Sequence, residues 1–315
     1  MKLGFLYAGQ GSQHAGMGRD LYEAHPAFRQ AVDSAALPFD LHSVCFDDPD
    51  GLLDQTRFTQ PCMVAFAAGV TAVLRERGIE PDVAAGLSLG EYSALHAAGV
   101  FDARTAVELA AFRGEAMQRA AQGVESAVID VMGLNRGALS HACEEASGEG
   151  VAVIANYNCP GQLVIGGEKA AVERAALLAR EAGARRCMPL HVSGPFHTLL
   201  MASAGEALRA RFEQIPFCGM RVPVIFNCLG DVKPEGVSIQ ELLARQVQSS
   251  VYMEDSIRRM AQMGVDAMVE IGPGRALSGF VRRTAPQKPV FAVETAADVE
   301  ALAPWLCAVR EGGTP

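Results

Sequence analysis

The stretch that most constrains this chain is Val83 to Leu95, VAAGLSLGEYSAL, where a short apolar run breaks at Gly86-Leu87-Ser88-Leu89-Gly90 and resumes with helical spacing. It reads as strand, sharp turn and helix. In a G-x-S-x-G elbow the flanking glycines let neighbouring chain pass close, the serine hydroxyl stands above the sheet, and the next amide, here that of Leu89, faces the place where an oxyanion would form. That geometry suits a serine nucleophile in acyl transfer. A Gly-rich turn whose serine merely caps the following helix fits the same pentapeptide, because serine is a favoured N-cap. The pentapeptide alone leaves the two readings level.

An elbow needs a sheet behind it, and 315 residues with 50% hydrophobic content can bury one large core and a smaller one. The net charge of -9 argues against nucleic acid or an anionic membrane as the main partner, though a local basic patch could still meet an acidic protein. The eight cysteines include no C-x-x-C pair, so neither zinc nor a disulfide framework is expected, and reduced thiols fit a cytoplasmic protein. Met1 to Gly11 reads as a strand and not as a signal segment, and the apolar run Cys62 to Leu74, interrupted by Gly69 and Thr71, is too short to span a bilayer. No cofactor and no metal site are expected, and a monomer is favoured.

Lys2 to Ala8 is a first strand that feeds the loop Gly9-Gln10-Gly11-Ser12-Gln13. Two glycines around Gln10 would let it approach a ligand, but a phosphate cradle of the G-x-G-x-x-G type needs glycine where His14 stands. Leu21 to Leu37 has helical spacing, and Thr59 to Gly78 reads as a long helix with Pro61 near its first turn. Glu91 to Gly99 and Ala103 to Ala121 follow as helices. Arg113 lies on a mixed face of the second, where a solvated arginine or one paired with Glu108 or Glu115 is the ordinary expectation. It gains meaning only if a substrate carries a carboxylate.

From Ser126 to Val192 the order is strand, helix, strand, strand, helix, strand, the ferredoxin-like βαββαβ pattern. This predicts a small domain, 126–192, inserted in a large one made of 1–125 and 193–315. Further strands at Val222–Asn227, Asp266–Ile271 and Pro289–Val293 alternate with helices, which implies a mostly parallel sheet and an α/β class. Of the seven histidines, His14, His25, His42 and His141 sit in polar contexts and His96 on the elbow helix; His191 reads as a structural residue at a strand end. His197, after the break at Gly194-Pro195, is the better candidate for a base. No acid stands in an obvious triad position, so a backbone carbonyl or the amide of a residue such as Gln246 would orient it.

Seven segments occur in order: AGQGSQ, GLSLGEYSAL, FRGEAM, NYNCPGQ, SGPFH, LLARQV and EIGPG. Together, from about Leu3 to Phe291, they resemble the malonyl-CoA:acyl-carrier-protein transacylases. The resemblance implies an α/β-hydrolase-like large domain with a ferredoxin-like insertion. It implies Ser88 as nucleophile, His197 as base, and Gln246 holding His197 or the substrate. Gln10 and the Leu89 amide would form the oxyanion hole, and Arg113 would pair with the malonyl carboxylate. The implied reaction moves malonyl from malonyl-CoA to the phosphopantetheine thiol of an acyl carrier protein by a ping-pong route, for fatty-acid or polyketide synthesis. The acidic carrier would meet a basic patch, with Lys169, Arg185, Arg186, Arg282 and Arg283 as candidates. A serine hydrolase and a non-catalytic carrier-binding scaffold are the alternatives. Against the family pattern, Leu87 stands where relatives often have histidine, Ser250 and Met253 replace a proline and an aromatic, and Asp130 puts a charge into an apolar strand, facing either the site or solvent.

Overall fold

The computed structural model describes residues 1–190 and 192–312; His191 lies outside them. Ten strands occur among the described residues: β1 (Leu3–Tyr7), β2 (Val83–Gly86), β3 (Ser126–Met132), β4 (Ala152–Cys159), β5 (Gln162–Glu168), β6 (Arg186–Pro189), β7 (Val224–Phe226), β8 (Asp231–Val232), β9 (Ala267–Ile271) and β10 (Val290–Val293). Contacts divide the chain into two compact units. The first is Met1–Gly114, Pro216–Phe226 and Ile257–Pro315; the second is Glu115–Ile215 and Asn227–Ser256.

In the first unit, strands run in the order β10-β9-β1-β2-β7, every neighbouring pair parallel. All of β1, β2, β7 and β9 is buried, as expected of strands covered on both faces, which is why β1, β2 and β7 read as apolar runs; β9 is broken by Glu270, whose buried carboxylate accepts from the Leu277 and Ser278 amides. The helix expected at Thr59–Gly78 is Thr56–Glu76, so Pro61 lies inside it and not in its first turn. It is long and apolar enough to cross a membrane, yet most of it is buried within the fold. The single helix expected over Leu21–Leu37 is two, Arg19–Ala24 and Pro26–Val32. Pro26 forces the break: the residue before a proline is driven to extended backbone, and His25 has φ -121 and ψ 111.

The second unit carries an antiparallel sheet in the order β4-β5-β3-β6. Helices Arg136–Ala146 and Lys169–Glu181 bury Leu139, Val172 and Ala175 with Ile129, Val131 and Ile165 of the strands. This is the expected βαββαβ arrangement. The unit extends beyond 126–192 because flanking chain packs on the other side of the sheet: a Cβ on Gly166 would touch Thr198 and Val128, Asn156 bridges to Val251, and Ser250 Oγ donates to the Ile154 carbonyl at 2.7 Å. The solvent-facing alternative for Asp130 fails. Its side chain is buried and accepts a hydrogen bond from Gln162 Nε2 at 3.3 Å.

Candidate active site

The turn after β2 is built by close approach. A Cβ on Gly86 would collide with the Gly90 backbone, one on Gly90 with the Tyr7 carbonyl, and one on Gly9 with the Leu87 carbonyl. With Gly86 and Gly90 pressed together, Ser88 is left at φ 51, the left-handed region that an L side chain enters at a cost of about 1–3 kcal/mol. The helix Gly90–Ala97 follows at once, and Ser88 is not its side-chain cap. Neither the backbone N–H of Leu89 nor that of Gln10 donates a hydrogen bond among the described residues. Leu89 as a residue is almost wholly buried.

Arg113 is not on a solvated face. It is 1% exposed, and the acids expected to pair with it are engaged elsewhere: Glu108 with Arg104 at 2.8 Å, and Glu115 with Arg119 at 3.5 Å. Its Nη1 donates to Gln60 Oε1 at 2.9 Å and its Nη2 to Ser88 Oγ at 3.0 Å. The guanidinium lies 5.6 Å from the centre of the Tyr92 ring. Burial pulls its pKa below the usual arginine value, while Tyr92 and Glu91 push the other way. An arginine starts so high that it stays charged near neutrality.

Two residues beside these went unnoticed in the sequence. Gln60 and Thr56 stand one turn apart on the buried start of the helix Thr56–Glu76; Thr56 Oγ1 accepts from Gln10 Nε2 at 3.0 Å, as Gln60 accepts from Arg113. The sequence carried little signal for them, because Arg57 and Thr59 stand between them and make the start of this helix polar as a whole.

In the second unit, His197 is buried and has φ 63, held by its amide on the Val247 carbonyl at 3.0 Å. Its Nδ1 meets the Gln246 backbone carbonyl at 2.9 Å. A carbonyl only accepts, so Nδ1 carries the proton and Nε2 keeps its lone pair, the tautomer a general base needs. Of the two orienters expected at Gln246, the carbonyl makes this bond. His197 does not open a helix: Thr198 caps the short turn Leu199–Met201, and the helix Ala202–Phe212 comes after it. Among the described residues, no three His, Cys, Asp or Glu side chains gather as metal ligands would.

Residues 4–306 match the family model described as acyl transferase domain. The chain is 41% identical over 302 residues to the malonyl CoA-acyl carrier protein transacylase of Bacillus subtilis, covering 95% of each chain. It is 39% identical to the Haemophilus influenzae protein of the same name, covering 97% of this chain and 99% of that one. Among solved structures, the MCAT of Streptococcus pneumoniae superposes with a TM-score of 0.92 at 42% identity, covering 96% of this chain and all of the other. A type II PKS acyl-carrier protein in complex with its malonyl-transacylase matches through a chain that is 36% identical, with a TM-score of 0.91, covering 96% of this chain and 98% of that one. This chain belongs to the malonyl-CoA:acyl-carrier-protein transacylase family of acyltransferases.

Proposed function

We propose that this acyltransferase moves the malonyl group of malonyl-CoA to the phosphopantetheine thiol of an acyl carrier protein, through a malonyl ester on Ser88, in the cytoplasm and for fatty-acid or polyketide synthesis. The observation that carries the reading is the buried Arg113 guanidinium with one nitrogen on Ser88 Oγ and another on Gln60. A fixed cation beside a nucleophilic oxygen suits an acyl donor that bears its own carboxylate.

Ser88 Oγ attacks the thioester carbonyl and passes its proton to His197 Nε2. The oxyanion is received by the Gln10 and Leu89 amides, whose hydrogen bonds are otherwise unmade. The proton then returns to the departing CoA thiolate. In the second half the carrier thiol loses its proton to His197, attacks the malonyl ester, and restores the Ser88 hydroxyl. Arg113 turns its fork to the malonyl carboxylate, a charge-assisted contact of about 1.5–3 kcal/mol. Gln246 contributes its carbonyl to the orientation of His197. For the acidic carrier, Arg185, Arg186, Arg282 and Arg283 are exposed, whereas Lys169 lies 3.4 Å from Glu125.

Intact-mass analysis after mixing with malonyl-CoA, methylmalonyl-CoA or acetyl-CoA tests the reading. A malonyl adduct that Ser88→Ala abolishes, and that a phosphopantetheinylated carrier removes, is expected. An adduct cleared by water as fast as by the carrier would make the chain a hydrolase. No adduct from any donor would make it a scaffold.

A further inference from the structure

Beyond the C-terminal end of the elbow helix Gly90–Ala97, the first unit has a concavity that shares no residue with the groups around Ser88. A cleft of about 580 Å3 is lined by Arg75, His96, Val100, Phe101, Cys218 and Arg221, among others. A neighbouring cleft of about 440 Å3 shares Arg75, His96, Asp102 and Ala103 with it. Small-molecule sites are of this size and of this make, an apolar wall with a few convergent polar groups.

The basic groups outnumber the acid in the larger cleft, Arg75 and Arg221 against Asp102. His96 is buried and its Nδ1 donates to the Phe101 carbonyl at 3.0 Å, which leaves a lone pair on Nε2. Burial, with Arg75 and Arg221 nearby, holds the imidazole below its ordinary pKa and so neutral at pH 7. Arg221 packs against Gly99, where a Cβ would fall 2.5 Å from its Nε, and its guanidinium makes no hydrogen bond or ion pair among the described residues. Arg75 Nη2 reaches the Ala97 carbonyl at 3.4 Å, and its Nε lies 3.3 Å from Glu80 without hydrogen-bond alignment. Against them, Asp102 lines both clefts and stays charged, its pKa lowered by the hydrogen bond from the Thr105 amide at 2.8 Å, and Glu76 is exposed at the margin of the smaller cleft. Arg104, also at the margin, is held by Glu108.

We propose that this cleft binds a phosphorylated small molecule. Arg221 and Arg75 donate to the phosphate oxygens, and the His96 Nε2 lone pair accepts from a phosphate hydroxyl or a ligand N–H. Val100, Phe101 and Pro216 cover the apolar part of the ligand. Guanidinium forks match phosphate geometry, and a guanidinium with no protein partner gives up only water on binding. Because Arg75 also holds the last carbonyl of the elbow helix, an occupant that drew Arg75 away would act on the element that begins beside Ser88. The site stands on its own lining residues and does not depend on which acyl group Ser88 receives.

Cys218 is exposed in this cleft, and of the other cysteines only Cys307 is exposed. Alkylation of Cys218 by iodoacetamide, followed by peptide mass mapping in a Cys307→Ser background, reads occupancy directly. With inorganic phosphate at about four times its Kd the rate falls about fivefold, and pyrophosphate gives the same protection at lower concentration. Arg221→Ala loses the protection while keeping its melting temperature, Arg221→Lys keeps part of it, and Ser88→Ala keeps all of it. The proposal is overturned if phosphate up to about 50 mM gives no protection. It is also overturned if potassium chloride of equal ionic strength protects as well, if Arg221→Ala is still protected, or if Ser88→Ala abolishes the effect.

Discussion

Thr56 and Gln60, one helical turn apart, each hold a different arm of the candidate site: Thr56 the Gln10 amide side chain at 3.0 Å, and Gln60 the Arg113 guanidinium at 2.9 Å. One helix start therefore holds both the loop proposed to supply an oxyanion donor and the cation beside Ser88.

Arg113→Gln removes the cation while keeping a side chain that can meet Gln60. The kcat/KM for malonyl-CoA falls about 10- to 150-fold, the equivalent of one charge-assisted contact, while that for acetyl-CoA holds or rises. Steady-state transfer assays with both donors check this. Equal losses for both would show that Arg113 acts on Ser88 alone and not on the acyl group.

Ser88 occupies left-handed backbone at φ 51, so the two obvious knockouts differ in stability. Ser88→Gly enters that region freely and Ser88→Ala does not, so the glycine variant is the more stable by about 1 kcal/mol, with both inactive. Chemical denaturation of the pair measures the gap. An alanine variant as stable as the glycine one would show that the turn relaxes once the hydroxyl is gone.

Gly86→Ala forces a methyl against the Gly90 backbone, so both folding and activity suffer, by about 3 kcal/mol or more in stability. At Gly137, in the exposed face of a helix, the nearest contact to a new Cβ is Asn135 Oδ1 at 3.5 Å, an ordinary distance. Gly137→Ala leaves activity intact and raises stability by up to about 1 kcal/mol. Melting curves and transfer assays on the two variants are the check.

His14 Nε2 lies 2.8 Å from Glu294, and that contact, with the Ala15 carbonyl, raises the imidazole pKa above its usual value. A raised pKa means the charged form is favoured by folding. Its contribution is complete below the unfolded value near 6.5 and disappears as pH rises through the higher folded value. Wild type should therefore exceed His14→Gln in urea midpoint at pH 5.5 and converge with it by pH 9, with a small gap because His14 is half exposed. A gap independent of pH would mean that packing, not charge, holds this loop.

The sequence made the elbow legible because close packing there admits only glycine at Gly86 and Gly90, and it made β1 and β2 legible because strands buried on both faces are apolar along their length. It misplaced Arg113, since helical spacing shows which face a residue lies on but not that the face is roofed by Gln60 and Tyr92. Asp130 was ambiguous for the same reason. Alternation along β3 separates it from Ile129 and Val131, but does not show that its own side is covered too, with Gln162 of β5 against its carboxylate.

The orienter of His197 is a peptide carbonyl. Every amino acid has one, so substitutions at position 246 leave the acceptor in place as long as the local backbone path is kept. Such an acceptor also has no proton of its own to lose, so the imidazole is coupled to no second titrating group through that bond. Its tautomer is tied to the integrity of the fold around Val247 and not to the acidity of the medium.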